Sequence, residues 1–248
     1  MKVTVITATY NNRDTVLDTL VSVANQSYPD IEHIIVDGLS TDGTLEIVKE
    51  IPGRITKIIS EKDNGIYDAL NKGIMAATGD LICFLHADDL FADTLVIEDS
   101  VKAISLSDSD ALYADLKYVS RTNTDSVIRY WKSGSFNTRN LKKGWMPPHP
   151  TFVVKKKIYD QYGVFDTGFK ISADYDIILR FLGVYKISVS YLPRVTVLMR
   201  VGGQSNRSFS NIVKKMKEDV RALKKNKLGS VYTVLFKNLV KIPQLFKR

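Results

Sequence analysis

The first ninety residues alternate short apolar runs with segments whose apolar residues recur at helical spacing. Four runs rich in Val and Ile predict strands, and the three segments between them predict helices. The strands are predicted at 2–7, 31–37, 54–60 and 80–86, and the helices at 13–25, 44–50 and 65–77. The order βαβαβαβ indicates a parallel sheet with helices on both faces, because parallel neighbours need a crossover connection. Ligands of such sheets bind beyond the carboxyl ends of the strands.

The rest of the chain is less regular. Strands are predicted at 111–119 and 186–192, an extended loop at 144–150, and helices at 173–181, 209–225 and from 228 to Pro243. A chain of 248 residues can form one large α/β domain with an appendage. We expect the domain to cover residues 1–205 and a basic, amphipathic, helical tail to cover residues 206–248.

The positive charge of the protein is concentrated in the tail. The chain has 35 Lys and Arg against 27 Asp and Glu, and residues 211–248 hold 11 basic but only two acidic residues. Apolar tail residues fall on one helical stripe, formed by Leu228, Val231, Leu235, Leu239 and Ile242. A basic amphipathic helix can lie on an anionic membrane surface. The alternative is that the stripe packs against the domain or a second copy, which leaves a homodimer open. The tail has no nucleic-acid motif, so we expect no nucleic-acid partner.

A single cysteine, Cys83, lies within the apolar run 81–85. It excludes an intramolecular disulfide and indicates a reducing compartment. In such a run we expect a buried structural thiol rather than a nucleophile. Neither a signal peptide nor an apolar stretch of about 18 residues is recognisable. We therefore expect a cytoplasmic protein, peripheral to the inner face of the membrane if the tail binds lipid.

Polar residues follow the predicted strands where a ligand is expected. Thr9, Tyr10 and Asn11 follow the first strand, and Asp37 ends the second strand before a glycine turn. The Asp37 carboxylate can accept a hydrogen bond from a nucleobase imide or a ribose hydroxyl. The alternative is that it caps the next helix, for which Ser40 is better placed. These residue types suit a sugar nucleotide.

Asp88 and Asp89 directly follow the fourth strand. Adjacent carboxylates at the end of a buried strand are costly unless a cation or solvent compensates them. Carboxylate oxygens favour Mg²⁺ or Mn²⁺, with phosphate oxygens completing the shell. Such a metal can neutralise the charge of a departing diphosphate. The alternative is that Asp89 merely caps a helix near Thr94.

A third acidic cluster, Asp174 and Asp176, opens a predicted helix. A carboxylate that borders a cleft can act as a general base towards a hydroxyl. Acidic residues are also common in a first helical turn because they interact favourably with the helix dipole. Spacing alone leaves both interpretations open.

Five segments stand in an order and spacing that resemble glycosyltransferase family 2. They are VTVITATYNN, IEHIIVDGLSTDGT, EKDNGIYDALNKGI, ATGDLICFLHADD and SADYDIILRF. The resemblance covers roughly residues 1–205 and is strongest to members that build bacterial capsule, exopolysaccharide or O-antigen chains. It implies an α/β protein of GT-A fold, with a Rossmann-like, mostly parallel sheet flanked by helices. Residues 1–90 are then the nucleotide-binding half and residues 91–205 the acceptor-binding half.

The resemblance also implies roles for individual residues. Those expected to bind the nucleotide sugar are Thr9, Tyr10, Asn11, Asp37, Asp63, Asn71, Lys72 and Asp88. The Tyr10 ring is expected against the base, Asp88 at the ribose and Asp89 on the divalent metal, Mn²⁺ or Mg²⁺. Asp174 matches the family's base, which deprotonates the acceptor hydroxyl.

This sequence departs from the family pattern at two positions. The metal motif often begins with an acidic residue where this chain has His86 or Ala87, so only Asp88 and Asp89 remain. The Glu that precedes the base in the family is Ala173 here. The motif and the spanning helices of processive synthases are missing, so we expect no processive polymerisation.

The loop at 144–150 supplies further candidates. Trp145 offers a stacking face for a sugar, with core packing as the alternative. His149 can contact the donor sugar or the acceptor, with a structural or solvated role as the alternative. Asp176 is a third candidate acceptor residue. Arg200, before the Gly202-Gly203 turn, is a candidate for a flexible lid that faces phosphate.

We therefore expect an inverting glycosyltransferase that moves a sugar from a nucleotide-diphosphate donor, most commonly a UDP-sugar in this family, to a hydroxyl. The acceptor is expected to be a saccharide or a polyprenyl-linked saccharide in bacterial surface polysaccharide synthesis. The alternative is a non-catalytic, sugar-nucleotide-binding scaffold subunit, against which the retained aspartates argue. A nucleotidyltransferase and a dinucleotide dehydrogenase are disfavoured, because residues 8–16 lack glycine and no G-x-G-x-x-G motif is present.

Overall fold

Residues 1–51, 53–202 and 209–234 are described by a computed structural model. The first half alternates strands and helices as predicted, and three of its four strands are buried along almost their whole length. The elements are β1 (Val3–Thr9), α1 (Val16–Ala24), β2 (Ile31–Asp37), α2 (Thr44–Glu50), β3 (Ile55–Ser60), α3 (Ile66–Ala76) and β4 (Leu81–Phe84).

The second half contains several short elements that the sequence pattern did not predict. Its elements are β5 (Leu90–Phe91), α4 (Val96–Ser107), β6 (Ala111–Val119), β7 (Val127–Trp131), α5 (Thr138–Leu141), a 3₁₀ turn (His149–Thr151), β8 (Val153–Lys155), α6 (Lys156–Tyr162), α7 (Ala173–Ile178), a π-helical turn (Leu179–Val184), β9 (Val189–Arg200) and α8 (Phe209–Lys225). The predicted bounds of β6 and α8 are confirmed. The strand predicted at 186–192 instead continues to Arg200, because a bulge at Pro193 lets Ala114 pair with Leu192 and Asp115 with Val195.

The strands form one mixed sheet in the order β3-β2-β1-β4-β8-β6-β9-β5, with β7 paired to the end of β6. Strands β1 to β4 are mutually parallel. Strand β8 is antiparallel to both β4 and β6, so β6 runs in the direction of β4, and β9 is parallel to β6. Six strands therefore end at the same side of the sheet, which we call the carboxyl edge.

Successive residues of the central strands alternate between two hydrophobic clusters, one on each face of the sheet. Ile6 and Phe84 belong to the larger cluster, whereas their neighbours Val5 and Cys83 belong to the smaller one. Burial raises the pKa of the Cys83 thiol to about 12. Cys83 is therefore a buried thiol that stays protonated at neutral pH, as predicted.

Helix α8 packs into the larger cluster through Ala222 and Leu223. The helix thus shares its core with the α/β body instead of projecting as a free tail. At the start of α8, two apolar residues, Ile212 and Val213, are exposed and do not pack against the body. Further along the helix, the buried face includes the acidic residue Glu218.

The helix predicted from Leu228 begins three residues later, and its described part ends at residue 234. Residues 228–230 are not helical, and residues 231–234 are. The other predicted stripe residues, Leu235, Leu239 and Ile242, lie outside the described residues. Among residues 1–51, 53–202 and 209–234, every helix is too short or too polar to cross a bilayer.

Candidate active site

The carboxyl edge includes a turn after β2 that has no room for a side chain at Gly38. A Cβ at this position would lie 2.9 Å from Asp63 Oδ2 and 3.3 Å from Tyr10 Cδ2. The Gly38 backbone N donates a hydrogen bond to Thr9 O over 3.0 Å. Glycine therefore brings three predicted nucleotide-binding residues together, and the Tyr10 ring remains 57% exposed beside them.

Asp37 is fully buried at the end of β2, directly opposite Thr9 in the β1–β2 pair. Its carboxylate accepts hydrogen bonds from the Ser40 backbone N over 3.2 Å and from Ser60 Oγ over 2.8 Å. A third hydrogen bond comes from Ser40 Oγ. Asp37 does not cap α2, whose N-cap position is Gly43, and its carboxylate instead orders the turn that precedes this helix.

The Asn11 and Asn71 amides, both predicted to bind nucleotide, are engaged with backbone groups. Asn11 Oδ1 accepts a hydrogen bond from Thr41 N over 2.9 Å. Asn71 Nδ2 donates to Phe165 O, and Asn71 Oδ1 accepts from Phe165 N, each over 2.9 Å. Asn71 therefore ties α3 to the second half of the chain.

Lys72, on α3, holds the Asp63 side chain. Its Nζ lies 2.7 Å from Asp63 Oδ1 and 3.0 Å from Glu61 Oε1. Burial acts to lower the pKa of Lys72, but its bonds with Asp63 and Glu61 outweigh burial and raise that pKa. A charged lysine thus fixes the Asp63 carboxylate beside Gly38.

The adjacent carboxylates Asp88 and Asp89 occupy different environments. Asp89 is 1% exposed, and its Oδ1 accepts a hydrogen bond from the Arg200 backbone N over 3.1 Å. Burial, followed by the charge of Asp88, raises the pKa of Asp89 well above its usual range. Asp88 is partly exposed. The buried Arg200 guanidinium donates to Asp88 O over 3.0 Å and pairs with Asp18, so this side chain is held in place. Gly203 of the predicted lid lies outside the described residues.

The acidic pair fits a hard divalent cation. Asp89 Oδ2 is buried and has no hydrogen-bond partner among the described residues. Within those residues, no group of three or more His, Cys, Asp or Glu side chains could hold a metal. A cation here needs the phosphate oxygens of a ligand to complete its shell, which is how Mg²⁺ is commonly bound.

Asp174 lies in the first turn of α7, where its side chain is partly exposed. Its Oδ1 accepts hydrogen bonds from the Tyr175 backbone N over 2.8 Å and from Tyr67 Oη over 3.3 Å. Burial raises the pKa of Tyr67 well above its usual range, and the Asp174 charge adds to the shift. The phenol therefore stays a protonated donor that holds this carboxylate.

One imidazole connects the acidic pair with Asp174. Burial lowers the pKa of His86, and the carboxylates of Asp88 and Asp174 both oppose this shift. The charges of Asp88 and Asp174 therefore both act on the His86 imidazole. The arrangement combines the Gly38 turn, the acidic pair that fits a divalent cation and the partly exposed Asp174 carboxylate.

A family model described as Glycosyl transferase family 2 matches residues 4–164. The chain belongs to glycosyltransferase family 2. The matched range contains the Gly38 turn and both residues of the acidic pair, whereas Asp174 lies beyond it.

Named relatives agree with this assignment. An uncharacterised glycosyltransferase of Mycobacterium tuberculosis is 32% identical over 180 residues, which cover 72% of this chain and 68% of the relative. A Bacillus subtilis protein named as a teichuronic acid biosynthesis glycosyltransferase, TuaG, is 44% identical over 90 residues, or 35% of this chain and 36% of TuaG.

Solved structures agree on the GT-A fold of this family 2 glycosyltransferase. TarS of S. aureus, solved with UDP-GlcNAc, superposes with a TM-score of 0.72 at 19% identity and covers 96% of this chain and 70% of that chain. A mannosyltransferase of Pyrobaculum calidifontis, solved with GDP-Man and Mn²⁺, gives a TM-score of 0.70 at 18% identity, covering 99% and 73%.

The candidate acceptor residues of the glycosyltransferase lie in unlike places. Trp145 is half-buried and packs against Tyr113 with ring centroids 5.6 Å apart, which is the core-packing alternative. Asp176 is 0% exposed and accepts hydrogen bonds from Lys225 Nζ and Asn226 Nδ2, each over 2.9 Å. Asp176 is thus committed to the end of α8 and offers no free carboxylate to a ligand.

His149 is the candidate acceptor residue that lies closest to the acidic motif. Its ring centroid is 6.2 Å from that of His86 and 5.4 Å from that of Phe84. Both ring nitrogens are buried and have no partner among the described residues. Burial lowers the pKa of His149 to about 4, and Asp174 only partly opposes the shift. His149 is therefore neutral at pH 7.

Tyr67 and Glu218 contact the turn around Asp174, although the sequence analysis gave neither of them a role. Tyr67 was counted only as part of an apolar helix, yet its hydroxyl is the polar end of an otherwise apolar face. Glu218 was hidden by the basic composition of its segment. The available signal was that an acidic pair, Glu218 and Asp219, interrupts a run of lysines.

Proposed function

We propose that this family 2 glycosyltransferase transfers a sugar from a nucleoside-diphosphate donor to a hydroxyl group with inversion at the anomeric carbon. The observation that carries the proposal is that β2 and β4 bring the Gly38 turn and Asp88 to one edge of the sheet, where the charges of Asp88 and Asp174 both act on His86. A departing diphosphate needs a carboxylate that binds a cation, and an attacking hydroxyl needs a carboxylate that accepts its proton.

The donor end of the proposal rests on the exposed Tyr10 ring and the Gly38 turn. An exposed aromatic ring can stack on a nucleobase, and the absence of a side chain at Gly38 lets Asp63 and Tyr10 pack directly against the turn. Asp37, Asp63 and Lys72 keep this turn in place through the contacts given above. UDP is the proposed nucleotide, in line with the UDP-GlcNAc complex of TarS.

Asp88 and Asp89 are the residues that would hold a divalent metal, Mn²⁺ or Mg²⁺. When bound, such a cation neutralises the negative charge that grows on the leaving diphosphate. Support comes from the unpartnered Asp89 oxygen and from the mannosyltransferase solved with Mn²⁺. Arg200 holds this pair in place, because its backbone N donates to the Asp89 carboxylate and its guanidinium donates to the Asp88 backbone O.

Asp174 is the proposed general base. Its carboxylate takes the proton of the acceptor hydroxyl while that oxygen forms a bond to the anomeric carbon and the bond to the diphosphate breaks. The attack comes from the face opposite the diphosphate, so one displacement inverts the configuration. No second carboxylic acid is needed, because a diphosphate leaves without the protonation that glycosidases supply to poorer leaving groups.

The proposed acceptor is a saccharide or polyprenyl-linked saccharide of the bacterial surface. Relatives named for teichuronic acid biosynthesis and for PGL/p-HBAD biosynthesis support this class. A lipid-linked acceptor fits a protein that lies on the cytoplasmic face of the membrane, and α8 carries exposed lysines that suit an anionic surface.

The first experiment is a calorimetric titration with UDP, GDP and dTDP, each with and without Mn²⁺. We expect metal-dependent binding of one nucleotide that is lost in Asp89→Ala. A matched Asp160→Ala variant, which changes an exposed carboxylate on α6, should bind like the wild type. Nucleotide binding without turnover of any nucleotide sugar would favour the scaffold alternative, and absence of binding would reject the donor class.

A further inference from the structure

Glu218 is a buried acidic residue within the basic helix α8. Its carboxylate accepts hydrogen bonds from three consecutive backbone N–H groups. The Lys170 N lies 3.1 Å from both carboxylate oxygens, and Oε2 also receives Ile171 N over 2.8 Å and Ser172 N over 3.0 Å. Hydrogen bonds to an ionised acceptor are stronger than those between neutral groups, so these contacts are well suited to fix a turn.

The three amides belong to the turn that leads directly into Asp174. Ser172 is the last residue before α7, and Asp174 lies in the first turn of that helix. The opposite side of the same turn is held by Tyr67, whose hydroxyl donates to Ile171 O over 2.6 Å as well as to Asp174. Glu218 thus binds the N–H groups of the turn, and Tyr67 binds one of its carbonyls.

Other contacts of α8 fall on either side of this turn. Lys225 Nζ lies 2.9 Å from both Asp166 Oδ2 and Asp176 Oδ2, and the Arg221 guanidinium lies 4.5 Å from the centre of the Phe169 ring. These contacts dock the helix on the body. They provide a comparison for Glu218, whose carboxylate contacts the turn itself.

We propose that Glu218 is a positioning residue, which acts on sugar transfer by fixing the turn at residues 170–172 and so the direction of the Asp174 carboxylate. The inference rests on the proposed function of Asp174. Its physical basis is that a displacement of about 1 Å in a reacting group can slow a reaction by about a hundredfold. Proton removal depends on the direction of the carboxylate, whereas nucleotide binding depends on the distant Gly38 turn.

The test compares Glu218→Gln with Lys225→Gln in the full chain. Gln keeps the size of Glu218 but removes its charge and one acceptor oxygen, whereas the Lys225 variant weakens the docking of α8 without touching the turn. We expect Glu218→Gln to lower kcat for nucleoside-diphosphate release by about tenfold or more, with KM for the nucleotide sugar and Kd for the nucleotide unchanged. Lys225→Gln should lower Tm at least as much and leave kcat at the wild-type value.

A second readout asks whether Glu218 acts through Asp174. In an Asp174→Asn background, Glu218→Gln should produce no further loss of rate, because the group that it positions is already disabled. Additive losses, or equal losses of kcat in Glu218→Gln and Lys225→Gln, would overturn the inference in favour of a purely structural role.

A third readout needs no substrate and separates this inference from the proposed function. Glu218→Gln should speed amide hydrogen exchange in residues 170–172 while the β1–β2 region exchanges as before. Unchanged amide exchange in residues 170–172 would show that Glu218 does not fix this turn, whatever the activity of the variant. A wild-type protein that turns over no nucleotide sugar would reject the proposed function, and with it the catalytic part of the inference.

Discussion

Asp37 and Asp174 lie at the same edge of the sheet, but their contacts come from different distances along the chain. Asp37 receives its hydrogen bonds from Ser40, three residues away, and from Ser60, 23 residues away. Asp174 is held by Tyr67, 107 residues away, and its turn by Glu218, 46 to 48 residues from the amides that it binds. We call the first region the donor edge and the second the base turn.

Because their contacts come from different elements, we expect that the donor edge and the base turn can be altered independently. The donor edge is built from β1, β2 and β3, the loops that follow them and Lys72 of α3, so it forms together with the parallel sheet. The base turn depends on α3 and α8, two helices from opposite ends of the chain. Changes at Glu218 of α8 should therefore affect proton removal and leave nucleotide binding intact, and changes at the Gly38 turn should do the reverse.

The largest expected effect is the loss of the base in Asp174→Asn. General base catalysis contributes about 10²- to 10⁴-fold, so the rate of nucleoside-diphosphate release should fall by that order. Nucleotide affinity measured by calorimetry should stay at the wild-type value, because the donor edge is untouched. Asp160→Asn, on the exposed face of α6, serves as the control. Retained turnover in Asp174→Asn would remove Asp174 as the base.

A smaller effect is expected at the donor edge from Gly38→Ala. The added methyl group would lie 2.9 Å from Asp63 Oδ2 and must displace either this carboxylate or the Tyr10 ring. We expect nucleotide binding to weaken by about tenfold, the equivalent of 1.4 kcal/mol. The rate at saturating donor should change much less.

The matched control for that variant is Gly53→Ala, where the nearest atom to the added Cβ is 3.6 Å away. It should bind nucleotide like the wild type. Should Gly38→Ala slow the saturated rate as strongly as it weakens binding, the donor edge and the base turn are coupled and the distinction between them fails.

The same difference explains how much of the molecule could be predicted from sequence. Strand β2 and helix α2 were predicted to the residue, because local periodicity and turn residues define them. The two residues of β5 and the three of β8 are too short to show any period, and they form only because β9, β4 and β6 present free edges to them. Asp174 was predicted from its acidic cluster and the family resemblance, whereas the contacts of Glu218 join distant parts of the chain, and its only local signal is that it interrupts a run of lysines.

Acidification is expected to lower the stability of the fold through the buried His33 of the donor half. Burial lowers its pKa to about 3, and its Nε2 lies 3.0 Å from Thr7 Oγ1. Below the unfolded pKa of about 6.5, the unfolded chain binds a proton that the folded chain does not. The contribution of His33 to the free energy of unfolding is therefore fully present above pH 6.5 and is lost as the pH falls towards 3. From pH 7 to pH 5 this residue alone should lower the free energy of unfolding by about 2 kcal/mol.

Denaturant titrations of the wild type and of His33→Gln at both pH values measure this contribution. His149→Gln is the matched variant in the second half, since burial also lowers the pKa of His149. Each variant should flatten the pH dependence between pH 7 and pH 5. An unchanged slope in His33→Gln would mean that β2 opens enough in acid for His33 to take up its proton, and the donor edge would then not be the rigid part of the site.

The smallest effect per residue is expected at the exposed lysines of α8, which extend the comparison to the membrane. Near an anionic surface each lysine contributes about 1 kcal/mol, and salt screens that attraction. Lys214→Glu with Lys217→Glu should therefore reduce co-sedimentation with vesicles that contain phosphatidylglycerol, and more so at low salt.

The control is Lys49→Glu with Lys57→Glu, two exposed lysines of the donor half. Equal losses in both pairs would indicate attraction by overall charge, and no loss in the α8 pair would reject α8 as the membrane-facing helix. A loss confined to α8 would mean that the helix that carries Glu218 also faces the lipid, so the acceptor would reach the cleft from the side of the base turn.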